Sequence, residues 1–267
     1  MKNFFINRSL KHQTFPIFTF WEPAGKMYPY LSACMSTWGS IQNAQIIILD
    51  YNSIKEHTKI KLPDNTFKLP LPQQADIIRM AVLISNQGVW MDADMLVTAN
   101  TDAVFEEAFS HGISLFGNPG KNAFNNFICT SNPDNDFLGG CLDEILDKIS
   151  KPLPAQIKWD YAAGPFYEAI KRDMHGEQNV GILDYRAHKY IAEVSFGPGY
   201  GVQPYKDFWF SNPTFDPNIL SQSSGLICLH NSWTPQDFKK KTFSEIVASN
   251  EPLANCLKYY ANDFLTK

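Results

Sequence analysis

The feature that most constrains the fold is the order of apolar segments in residues 15–95. Phe15-Pro-Ile-Phe-Thr-Phe-Trp21 is a short run of aromatic and β-branched residues, the composition of a strand. Tyr28 to Trp38 follows with Leu31, Met35 and Trp38 at helical spacing. Ala44-Gln-Ile-Ile-Ile-Leu-Asp50 is then apolar on both faces, as expected of a strand buried in a parallel sheet. Residues 61–75 hold three prolines and read as a loop. Asp76 to Asn86 reads as a helix stopped by Gly88, and Val89-Trp-Met91 as a short strand. A β-α-β-α-β order of this kind predicts an α/β domain on a mostly parallel sheet, with ligands at the C-terminal strand edge, where Asp50 lies.

The second half is more mixed. Ile113–Gly117 and Phe127–Thr130 read as strands. Leu138, Leu142, Ile145, Leu146 and Ile149 mark an amphipathic helix. Trp159 to Asp173 reads as partly helical, with Pro165 in a first turn. The aromatic stretch 190–229 reads as strand-like, and 241–264 as a closing helix. Neither a repeat nor a long linker divides the 267 residues. The expectation is one domain, 1–267, with a nucleotide-binding half over about 1–95 and an acceptor-side half with an elaborated C-terminal part over 96–267.

Composition excludes several classes. With 44% hydrophobic residues the chain can build a core. Its 23 basic and 27 acidic residues are interspersed, giving a net charge of -4 and no basic block of nucleic-acid type. The short run Lys239-Lys240-Lys241 reads as a solvated helix start. Five scattered cysteines without CxxC spacing read as reduced, buried thiols. There is no 18-residue apolar run, and Met1–Thr14 has no apolar core of a signal peptide. A cytoplasmic protein is expected, peripheral to a membrane at most.

The chemistry concentrates at Val89-Trp-Met-Asp92-Ala93-Asp94. Alternate residues of an extended segment point the same way, so both carboxylates can face one cation. Mg²⁺ and Mn²⁺ prefer oxygen ligands and share them with a substrate diphosphate. Upstream, Asp76 and Arg79 are three apart on one helix face: either a surface ion pair, or a pair pointing into a cleft. His230 ends the apolar run Gly225–Leu229, where a lone histidine is a structural residue or a ligand. Asp134 and Asp136, a second Asp-x-Asp, read as a helix N-cap.

Taken together, Gln74-Ala-Asp-Ile-Ile-Arg79-Met-Ala-Val-Leu-Ile84 and Gly88-Val-Trp-Met-Asp-Ala-Asp94 resemble a known signature. It belongs to the glycosyltransferases with a DXD-containing sugar-binding region, related to capsular polysaccharide transferases and yeast mannosyltransferases. The chain has Asn86-Gln87-Gly88 where a Gly pair is usual, and Trp90 where Tyr is usual. Phe20-Trp21 is similar to the end of the family's first strand at the nucleotide pocket, without the usual preceding His. Asn125-Asn126-Phe-Ile resembles the stretch facing the donor sugar. Ala163-Gly164-Pro165 resembles the Gly-Pro opening of an acceptor-side helix. His230-Asn-Ser232-Trp233 resembles the segment that, in toxin and effector relatives, closes over the donor and adds a metal contact.

The resemblance implies a GT-A-type, Rossmann-like fold and a nucleoside diphosphate sugar donor, in the family's terms a UDP-sugar. It implies Mn²⁺ or Mg²⁺ held by Asp94 and Asp92 with His230. Donor contacts would come from Phe20, Trp21, Asp76, Arg79, Trp90, Asp92, Ala93, Asn126, Ser232 and Trp233, and acceptor contacts from Gly164 and Pro165. Asp92, Asp94 and Arg79 would carry catalysis of hexosyl or N-acetylhexosaminyl transfer, with retention, to a glycan, lipid-linked or protein acceptor, as in bacterial polysaccharide biosynthesis. Two rivals are a non-catalytic sugar-binding protein and a DxD phosphatase. The phosphatase motif wants Thr or Val where Leu96 stands.

Overall fold

The structure is a computed structural model. It describes residues 14–99, 101–118, 122–173, 180–184, 201–211, 215–222 and 225–266. The sequence expectations for 1–13 and for 190–200 fall outside these. The chain divides into two compact units: 1–20, 43–91 and 105–183 form one, and 21–42, 92–104 and 184–267 the other. The backbone passes from the first to the second after Phe20, Met91 and Leu183.

The first unit is built on a six-stranded sheet flanked by helices, an α/β architecture as the segment order implies. Its strands are β1 (Phe15–Phe20), β2 (Ala44–Leu49), β3 (Gly88–Met91), β5 (Ile113–Asn118), β6 (Asn122–Thr130) and β7 (Val180–Asp184), in the order β2-β1-β3-β6-β5-β7. β1 pairs parallel with both β2 and β3, whereas β6 runs antiparallel to β3 and β5. The helices are α2 (Ile54–His57), α3 (Leu71–Ser85), most of α4 (Asp102–Phe109), α5 (Asp136–Ser150) and α6 (Gly164–Asp173). Ile77, Ile78, Met80 and Leu83 of α3 join Phe18, Trp90, Leu142, Ile145 and Phe166 in one buried cluster.

Several local expectations change. β2 is an edge strand, with Ile46 37% and Ile48 52% exposed, so an apolar run did not mean burial on both faces. α3 begins at Leu71, because Pro72 suits a first turn where no amide partner is needed. It ends at Asn86, whose Nδ2 donates to the Val82 carbonyl at 2.8 Å. Gly88 therefore serves β3 and not a helix end. Its φ is 153°, and a Cβ there would lie 2.7 Å from the Pro16 carbonyl oxygen on β1. The cap of α5 is Asn135, which accepts from the Leu138 amide, and neither Asp134 nor Asp136 takes that role.

The second unit holds α1 (Pro29–Ser36), the two-stranded antiparallel ribbon β4 (Met95–Val97) with β8 (Leu226–Cys228), and five further helices among its described residues. These are α7 (Val202–Ser211), α8 (Gln236–Lys239), α9 (Phe243–Ala248), α10 (Pro252–Tyr260) and α11 (Asn262–Leu265). Residues 202–211 are helical, not strand-like: Tyr205 and Trp209, four apart, form one buried stripe. The expected closing helix is three short ones, interrupted before Pro252. No helix among the described residues is long and apolar enough to cross a membrane.

Candidate functional site

In the first unit, α3 presents two buried charged side chains on an otherwise apolar surface. Asp76 is 8% exposed and Arg79 4%. Arg79 Nη2 lies 3.1 Å from Asp76 Oδ1. The guanidinium also donates from Nε to the Ala75 carbonyl at 3.2 Å and from Nη1 to the Asn125 carbonyl. Its carbon rests 5.2 Å from the centre of the Trp90 ring, a cation–π contact. Asn125 closes the cluster: its Nδ2 donates to Asp76 Oδ1 at 2.8 Å, and its Oδ1 accepts from the Tyr167 hydroxyl at 3.2 Å.

Of the two readings open at the level of sequence, burial removes the surface ion pair. The pair is not at the surface, and Arg79 spends donors on fixed protein acceptors. Trp90 is 1% exposed, so it supports the guanidinium rather than offering an open face to a base. Asn125 joins the network in place of Asn126, because neighbouring strand residues point to opposite faces. The Oδ1 of Asn126 is buried without a hydrogen bond. Gly164 and Pro165 open α6, which brings Tyr167 to Asn125. Phe20, 7% exposed, packs against Tyr51 with ring centres 5.8 Å apart. Asp50 is spent locally: its carboxylate accepts from the Ser53 amide and hydroxyl and from the Asn52 amide, which lowers its pKa.

In the second unit, Asp92-Ala93-Asp94 is a turn and not a continuous extended strand. The Met95 amide donates back to the Asp92 carbonyl at 3.0 Å, and Ala93 is buried at the bend. Strand alternation therefore does not set the direction of the two carboxylates. Both are half-buried. Asp94 organises the segment that follows β8. Its Oδ2 accepts from the Asn231 amide at 2.6 Å, a charge-assisted bond, and its carbonyl accepts from the Leu229 amide at 3.2 Å.

Residues 230–234 form a tight turn. The His230 carbonyl accepts from the amides of Trp233 at 3.0 Å and Thr234 at 2.9 Å. The His230 and Trp233 rings stack, with centres 4.1 Å apart at 28°. Tyr205 packs edge-on against both rings and accepts from the His230 amide at 3.1 Å. Burial pushes the His230 imidazole down to about 4, so it is neutral near pH 7. Tyr30 donates to Asn231 Oδ1 at 2.6 Å. Burial, reinforced by the nearby Asp94 charge, holds its phenol well above the ordinary value, so the donor stays protonated. Ser232 is exposed and Trp233 half-buried. Trp21 is half-buried, edge-on to Tyr28 at 5.9 Å, and its indole N–H has no hydrogen-bond partner.

Sequence reasoning did not single out Asn125, Asn231, Tyr30 and Tyr205, which the structure joins to these clusters. Asn125 and Asn231 each stand beside a residue it had singled out. Among the described residues, no three His, Cys, Asp or Glu side chains come together as a metal-binding group. His230 thus does not complete a ligand trio with Asp92 and Asp94. The donor chemistry still fits Mg²⁺ or Mn²⁺, which accept one or two carboxylates and fill their remaining positions with water and substrate phosphate oxygens.

Residues 24–110 match the family model described as "Glycosyltransferase sugar-binding region containing DXD motif". The match spans α3, β3 and the Asp92–Asp94 turn, about a third of the chain, and marks this stretch as similar to that region. No curated protein matches the chain. Among solved structures, the chain is similar to one titled "PaToxG Glycosyltransferase", with 14% identity, a TM-score of 0.42, and coverage of 61% of this chain and 71% of that one. It is also similar to a glycosyltransferase "involved in the glycosylation of the major capsid of PBCV-1", with 10% identity, a TM-score of 0.39, and coverage of 64% and 82%.

Proposed function

We propose that this chain transfers a hexosyl or N-acetylhexosaminyl group from a nucleoside diphosphate sugar, a UDP-sugar, to a hydroxyl acceptor, with retention of configuration. The observation that carries the reading is the half-buried Asp94 turn inside the family-matched stretch, with the 230–234 segment fastened to its carboxylate. A hard divalent cation, Mn²⁺ or Mg²⁺, would be held by Asp94 and Asp92. When bound, it supplies Lewis-acid stabilisation of the charge on a diphosphate leaving group.

The remaining roles belong to side chains. The Asn231 amide orients the Asp94 carboxylate, and Tyr30 in turn orients Asn231. Asp76, braced by Arg79 and Asn125, is suited to a donor hydroxyl. Arg79 acts through that bracing, with its guanidinium committed to Asp76 and two carbonyls. Trp21 offers an unused indole N–H to an oxygen-rich donor. Ser232 and Trp233, on a turn with an exposed hydroxyl, suit a segment that closes over the donor and excludes water. The α6 opening at Gly164 and Pro165 is assigned to the acceptor, whether glycan, lipid-linked or protein. Retention without a protein nucleophile relies on positioning and electrostatics. The cytoplasm, with the protein at most peripheral to a membrane, is the assigned location.

The test is release of free nucleoside diphosphate from a panel of nucleotide sugars, with Mn²⁺ or Mg²⁺ and with excess EDTA. Metal-dependent release from a UDP-sugar is expected. A folded protein that releases none from any donor, or that turns over fully in EDTA, defeats this reading. Binding without release would instead mark a non-catalytic sugar-binding protein, and phosphate release would mark a phosphatase.

A further inference from the structure

The second unit contains a buried cation that the roles above leave unused. Lys239 ends the short helix α8 and is 5% exposed. Its neighbour Phe238 anchors the helix, 1% exposed and edge-on to Tyr30 at 5.8 Å. The Lys239 ammonium sits 5.9 Å from the centre of the Tyr28 ring. No hydrogen bond or ion pair reaches it from any described residue. Burial lowers its pKa, and the nearby Asp94 carboxylate works in the opposite direction. The next two lysines differ: Lys240 is exposed, and Lys241 pairs with Glu251 at 2.5 Å.

A lysine side chain this enclosed, without a protein acceptor at its ammonium among the described residues, gains from any anion that reaches it. Tyr28 links it to a second unused donor, because the ring beside Tyr28 is Trp21, whose buried indole N–H also lacks an acceptor. Two unsatisfied donors around one tyrosine, on the unit that carries Asp94, describe a place that wants an acceptor-rich anion. A diphosphate fits: it brings several acceptor oxygens and the negative charge that an ammonium attracts. An uncharged sugar hydroxyl would leave the ammonium unpaired in charge.

We propose that Lys239 is a donor-binding residue whose ammonium contacts the diphosphate of the nucleotide donor; this rests on the nucleotide-sugar reading above. The ammonium would then offset phosphate charge independently of any metal ion, as a point charge does at other phosphate sites. The side chain is 5% exposed, so the charge is held in place and not on a mobile surface chain.

The test uses the full chain, with Lys239→Met and Lys239→Arg, titrated calorimetrically with inorganic pyrophosphate, UDP, GDP, CDP and UMP in the presence of Mn²⁺. Methionine keeps the stem and removes the charge, so the melting temperature should hold or rise. Pyrophosphate and nucleoside diphosphate should bind Lys239→Met about tenfold or more weakly, the worth of one charge-assisted bond. UMP should lose less, and arginine should recover most of the diphosphate affinity. Unchanged diphosphate and pyrophosphate binding by a folded Lys239→Met protein overturns the proposal while leaving the nucleotide-sugar reading standing. A melting point that collapses in Lys239→Met and is not held by arginine makes Lys239 structural and also overturns it. If the wild-type protein binds no nucleoside diphosphate, the nucleotide-sugar reading fails, and this proposal with it.

Discussion

Replacing Arg79 by methionine separates a bracing role from direct contact with the donor. Methionine keeps much of the aliphatic volume against Trp90 and removes every donor. Asp76, 8% exposed, then loses the cation 3.1 Å from its Oδ1 and keeps the Asn125 amide at 2.8 Å. Breaking a buried pair by removing one partner costs about 3–5 kcal/mol. The carbonyls of Ala75 and Asn125 also lose their side-chain partner, and each such loss costs about 1–3 kcal/mol where water cannot replace it. Protonation of Asp76 and local water entry cap the sum, since a buried carboxyl neutralises before paying the full penalty. A loss of about 4 kcal/mol is expected, which is about 8–16 °C in melting temperature for a chain of this size. Arg79→Lys should lose about half as much, because an ammonium can meet Asp76 but cannot reproduce the fork that also reaches Asn125. The assay is thermal denaturation of wild type, Arg79→Met, Asp76→Asn and the double variant. A coupling of about 2 kcal/mol between the two positions is expected for groups in direct contact. An Arg79→Met protein that melts like wild type yet no longer binds or turns over donor would refute the bracing role and return Arg79 to direct contact.

Two other outcomes follow from the second unit and from the thiols. Asp94→Asn can still accept from the Asn231 amide, so the melting point should fall by no more than about 2 °C, the effect of weakening one hydrogen bond, while donor turnover drops about a hundredfold, or about 3 kcal/mol; a lower melting point with normal turnover would make Asp94 a turn residue only. All five cysteines are buried and free, and burial raises the thiols of Cys34, Cys129 and Cys256 strongly and that of Cys141 to about 12. Ellman's reagent at pH 8 should therefore find no reactive thiol in the native protein and five in guanidinium chloride, and one fast-reacting native thiol would contradict that burial.

What the sequence disclosed and what it hid divide along a physical line. Period and composition are local, so β1, α3, β3 and α5 were legible from their own residues. Placement depends on neighbours. Ala44–Leu49 carries the composition of a central strand, yet it lies at the edge because β1 pairs with it on one side and no strand follows it in the sheet order. Val202–Ser211 is rich in residues that favour strands, and tertiary packing of Tyr205 and Trp209 made it a helix instead. The candidate site divides the same way. Asp76, Arg79, Asp92 and Asp94 stand in a spaced pattern that chemistry makes conspicuous. Their partners Asn125, Asn231 and Tyr30 are ordinary polar residues whose importance arises only when distant segments meet.

Lys239 is the sharpest instance. Three consecutive lysines look alike in sequence, and a solvated run is the reasonable reading of them. The short helix anchored by Phe238 ends at Lys239, so the three lysines leave it in different directions. Lys240, at the cap, is in water, Lys241 reaches Glu251, and Lys239 is buried against Tyr28 near Asp94. Charge counted along the chain could not separate the three, because burial decides what each charge is for. A lysine in water has its ions already. One that is 5% exposed without a counter-charge in bonding reach has its electrostatic energy lowered by any anion that arrives. That is why the calorimetric comparison of pyrophosphate with UMP bears on Lys239 and not on the run as a whole.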